Sequence, residues 1–99
     1  MQINFERTGG FAGMRLATAA DTHTLPPEEA NQLRRLVEAA DFFHLPGSIT
    51  SPTAGADRFQ YRLAVEENGQ QHTVTVSERA LPAPLRPLIE WLVAAARQK

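Results

Sequence analysis

The side chains able to do chemistry are few and widely spread. Three histidines occur, His23, His44 and His72, and none is spaced from another as His-x-His or His-x-x-x-His. There is no cysteine, so disulfides and thiolate metal sites are excluded. A structural zinc site needs closely spaced nitrogen or sulfur ligands, and this chain offers no such cluster. A nucleophilic enzyme needs a serine, threonine or lysine activated by a neighbouring base. Ser48, Ser51 and Ser77 sit in no nucleophile elbow, and the lone lysine is Lys99. The paired carboxylates Glu28-Glu29 and Glu66-Glu67 fall at a helix start and a turn, which accounts for them without catalysis. These residues predict a protein that is not an enzyme and that carries no cofactor or metal of its own.

Two stretches are less easily explained by folding alone. Thr8-Gly9-Gly10-Phe11-Ala12-Gly13 sets a phenylalanine among three glycines. It is not a phosphate loop, because it lacks the Gly-Lys-Ser/Thr ending and leads into no helix. Phe11 at a hairpin tip either stands exposed, as interface anchors do, or tucks into its own sheet; both readings are open at this level. The second stretch, residues 47–57 (GSITSPTAGAD), is small and polar, is broken by Pro52 and Gly55, and has little to bury beyond Ile49. It is longer than a connection requires, and such loops often bind. The candidate contact residues are therefore Gly9, Gly10, Phe11, Ala12 and Gly13, with Ile49, Ser51 and Pro52 as a second group.

The elements that must position these loops follow from periodicity. Arg58 to Ser77 is the strongest pattern: Phe59, Tyr61, Leu63 and Val65 alternate with polar residues. Asn68-Gly69 then supplies the pair that best tolerates positive φ in a type I′ turn. A two-residue loop there places Leu63 opposite Val74, Tyr61 opposite Val76 and Val65 opposite His72. A slip of one residue would turn the apolar row into water. Gln2 to Arg7 also alternates, with Met1, Ile3 and Phe5 on one face. With Met14 to Ala20 it reads as a second hairpin, Met14 and Leu16 facing inward.

Pro27, followed by Glu28 and Glu29, suits the first turn of a helix. Ala30, Leu33, Leu36, Val37 and Ala40 form its apolar face. Asp41 to Pro46 ends it, with Phe42, Phe43 and Leu45 folding back over the core. A second helix starts between Pro84 and Pro87 and buries Leu85, Leu88, Ile89, Leu92 and Ala96. The order ββαββα predicts an α+β fold: a four-stranded antiparallel sheet with both helices on one face and the other face wet.

With 99 residues the chain makes one domain, spanning 1–99. A net charge of −1 and no basic run longer than Arg34-Arg35 argue against nucleic acid as a partner. The longest strongly apolar run, Leu92 to Ala96, is too short to cross a bilayer. The first residues, MQINFERTGG, do not form a secretion signal, so a cytoplasmic location is expected.

Taken together, residues 5–13 (FERTGGFAG), 25–46, 57–78 and 81–92 (LPAPLRPLIEWL) resemble the protealysin inhibitors, the emfourin family. The most family-like pieces are Thr8-Gly9-Gly10-Phe11-Ala12-Gly13, where threonine replaces the more usual serine, Ala39-Ala40-Asp41-Phe42-Phe43, and Asp57-x-Phe59-x-Tyr61. The resemblance implies a small bacterial protein that inhibits thermolysin-like zinc metalloproteases without covalent chemistry. The zinc would belong to the target. It implies a protease partner; charge and run length speak against nucleic acid and membrane, and a monomer is expected when free. A generic interaction module or antitoxin-like partner binder is the alternative of another class.

Overall fold

A computed structural model describes residues 1–9, 15–50 and 59–98. Gln2–Gly9 forms β1 and Leu16–Asp21 forms β2, antiparallel partners with Phe5 opposite Thr18. Pro27–Ala39 is helix α1, Ser48–Ile49 a two-residue strand β3, Phe59–Glu67 β4, Gln70–Ser77 β5 and Arg86–Arg97 helix α2. Short 3-10 turns at Phe42–His44, Glu78–Ala80 and Ala83–Leu85 link them. The sheet runs β2-β1-β4-β5-β3, so the two hairpins join through β1 and β4, at the centre.

The central hairpin adopts the register its alternation demands. Leu63 lies opposite Val74, Tyr61 opposite Val76 and Val65 opposite His72. Asn68 and Gly69 hold φ of 53° and 79°, the two positive values a type I′ turn needs. Ile3, Leu63, Val65, Val74 and Val76 are fully buried on the inner face, together with Leu33 of α1 and Leu88 and Leu92 of α2. His72 is half-buried, and its Nε2–H donates to the Leu45 carbonyl at 2.7 Å, which holds the segment after α1 against β5. Phe42 is buried and meets His72 edge-on, with ring centroids 5.6 Å apart. Asp41, at φ 51°, turns the chain so that this aromatic group can fold back.

One expectation is corrected. The sheet has five strands and is mixed, not four-stranded and wholly antiparallel. The extra strand lies within the stretch expected to be only a surface loop. Ser48 and Ile49 pair in parallel with Thr75 and Val76, and the Thr75 amide donates to the Gly47 carbonyl at 2.9 Å. The physical cause is the outer edge of β5, whose backbone groups need partners. Ile49 is half-buried and packs against the core from this position. Leu16 faces inward as expected, on the same side as buried Thr18 and Ala20, and is half-buried; Met14 lies outside the described residues.

Candidate functional site

The strand register brings the roots of both candidate loops to one end of the sheet. Across that end, Leu16, Arg7, Tyr61, Val76 and Ile49 form a single transverse row. One step further out, Thr8 faces Gln60, and Gln60 faces Ser77. In the next step Gly9, the last residue of β1, faces Phe59, the first residue of β4. The chain thus leaves this rim at Gly9 and rejoins it near Arg15. It leaves again after Ile49 and rejoins at Phe59. With neighbouring strands ~4.8 Å apart, the row from Leu16 to Ile49 spans roughly 19 Å.

Beneath the rim is a compact group of polar and aromatic side chains. The Arg7 guanidinium carbon lies 4.2 Å from the centroid of the Phe59 ring. Its Nε is buried and has no hydrogen-bond partner among the described residues. The Phe59 amide donates to Glu78 Oε1 at 3.3 Å, tying the start of β4 to the turn after β5. Tyr61 stacks on Phe5, with centroids 6.1 Å apart and planes 20° from parallel. Burial raises the pKa of the Tyr61 hydroxyl above 10.0, Glu78 raises it further, and Arg7 and Arg86 oppose the shift. At the start of β2, Arg15 Nε donates to Glu6 Oε2 at 2.6 Å and holds the two arms of the first hairpin together.

Gly9 has φ of 89°, a conformation that L side chains rarely adopt. A backbone requirement therefore explains this glycine. Ile49 sits in β3 and packs on the core, so it braces the rim from the side. Gly10, Phe11, Ala12, Gly13, Ser51 and Pro52 lie outside the described residues. Sequence reasoning missed Arg7, Phe59 and Glu78 as supports of the rim. The signal for Arg7 was there: it continues the inward row Ile3, Phe5 of β1, where a charge is out of place.

Little else among the described residues suggests chemistry. The His23 ring lies 2.9 Å from Asp21 and the His44 ring 2.6 Å from Asp41, both at exposed positions. His23 also donates its backbone N–H to Asp21 Oδ1 at 2.9 Å, and these two bonds hold the Asp21 carboxyl below its ordinary pKa of 3.8. No cluster of three metal-ligating side chains is found among the described residues.

The described residues thus form a strand-end rim on an α+β domain, at which both candidate stretches have their roots. The sequence model of the emfourin family matches residues 5–93, and the chain belongs to that family, the protealysin inhibitor family. Membership implies a protease partner and a metalloprotease-inhibiting role. No curated protein and no solved structure matches the chain.

Proposed function

We propose that this protein inhibits a thermolysin-like zinc metalloprotease by setting the loops of its strand-end rim across the active-site cleft. The observation that carries this reading is the shared rim: Gly9 and Phe59, at the roots of the two loops, are paired neighbours. Family membership supports the inhibitory role. Thermolysin-type enzymes take substrates as extended chains beside the zinc, so a blocker needs narrow projecting elements. Residues 8–13 supply a glycine-rich segment with Phe11 as the apolar group, and such enzymes favour bulky apolar groups just after the scissile bond. Residues 47–57 supply the second contact, in which Pro52 lowers the ordering cost on docking. The inhibition is non-covalent, and the zinc is the enzyme's. The target is a bacterial protease met in the cytoplasm.

The test is a titration of thermolysin-like proteases with the purified protein at several substrate concentrations. Competitive loss of activity that saturates at equimolar inhibitor is expected. Full protease activity at large molar excess refutes the proposal and leaves the generic partner binder as the reading.

A further inference from the structure

β2 ends the sheet on one side, and among the described residues no strand pairs with its outer edge. The ladder fixes which groups point outward. The Thr22 amide donates to the Met1 carbonyl at 2.9 Å, continuing the β1 ladder, so even-numbered residues of β2 turn their backbone groups toward β1. Ala17, Ala19 and Asp21 then direct theirs to the open side, and Ala17 and Ala19 are exposed. Leu16 to Ala20 carries no charge and no proline, the usual devices that keep such an edge unpaired.

We propose that β2 is a self-association edge, pairing antiparallel with β2 of a second copy about a two-fold axis at Thr18. This register sets Ala17 opposite Ala19 and Leu16 opposite Ala20 of the other copy. It also sets Arg15 opposite Asp21, twice by symmetry. Both lie on the wet face of the sheet, because Thr18 and Ala20 between them are buried toward the helices. The pairing is therefore complementary in charge as well as in backbone groups. Among the described residues Arg15 bonds through its Nε alone, to Glu6, which leaves its terminal nitrogens for a carboxylate of the other copy. His23 occupies Oδ1 of Asp21 and leaves Oδ2. The Asp21 carbonyl already accepts from Thr24 and Leu25, so the two-fold ladder holds about six backbone bonds. Side chains this small bury little area, and the dimer is weak, below the usual size of a stable interface. Free protein is then monomeric when dilute, as the sequence leads one to expect, and dimeric when concentrated. The antiparallel axis sends the two rims to opposite ends of the joined sheet, so neither is covered.

Sedimentation velocity of the inhibitor alone, from about 10 µM to 1 mM, tests this without reference to any protease. The wild-type protein is expected to shift from monomer to dimer. Arg15→Asp alone and Asp21→Arg alone each set like charges opposite one another and weaken association by about tenfold or more. An equimolar mixture of the two variants restores it, because each copy then offers the charge the other needs. Ala19→Pro removes an outward N–H without touching the β1 ladder and abolishes the dimer with the fold intact, as checked by circular dichroism. It keeps the test sharp if Asp21→Arg unfolds the turn. A monomer throughout the range overturns the proposal, as does a dimer indifferent to Ala19→Pro or one that the mixture fails to restore.

Discussion

Leu63→Ala tests the register and the core together. Leu63 is fully buried on the central strand β4, between Phe5 of β1 and Val74 of β5. Truncation to alanine loses the transfer free energy of the removed carbons, about 2 kcal/mol. It also leaves a cavity. Strands on both sides fix the backbone, so the site cannot collapse easily, and the loss belongs in the middle of the range for such changes, about 3–4 kcal/mol. For a domain of this size the urea slope is roughly 1–1.5 kcal/mol per molar, so the midpoint should fall by about 2–4 M. Arg62→Ala is the control, one residue away and exposed on the opposite face, with an expected change within about 0.5 kcal/mol. Urea unfolding followed by circular dichroism reads both. A loss below about 1 kcal/mol at Leu63, or a larger loss at Arg62, refutes the parity of β4 and with it the placing of the rim.

Gly69→Ala should cost about 1 kcal/mol from its φ of 79° alone, because a Cβ there meets no atom within 4 Å; thermal melts check this, and inhibition should not change. Asp21 has a depressed folded pKa, so its contribution to stability is complete above 3.8 and disappears as pH falls through the lower folded value; Asp21→Asn should flatten that part of an acid-unfolding curve. Tyr61 has a raised folded pKa, so stability is unaffected below 10.0 and falls as pH rises from there through the folded value; Tyr61→Phe should remove this alkaline loss in urea melts at graded pH.

Most of the fold was legible because its elements have strong periods. Phe59 to Val65 alternates without a break, and Asn68-Gly69 fixes the turn, so the register of β4 and β5 follows from the sequence. Pro27 and Pro87 mark helix starts that the structure reproduces. The strand Ser48–Ile49 was not legible, since two residues are too few to show alternation and Pro46-Gly47 reads as a turn. What makes it a strand is the vacant edge of β5, a tertiary circumstance. The rim was legible only in part. Gly9 and Ile49 stood out in sequence, but that their segments share one end of the sheet depends on β1 pairing with β4, which no local pattern encodes.

The measurement that tests the central claim most directly is the inhibition constant of Phe11→Ala against a thermolysin-like protease, taken beside its melting temperature. The account predicts inhibition weakened by about 2 kcal/mol, or roughly 30-fold, with the melting temperature unchanged. Unchanged inhibition would contradict the placing of Phe11 in the protease cleft, and a large fall in melting temperature would assign its side chain to the core.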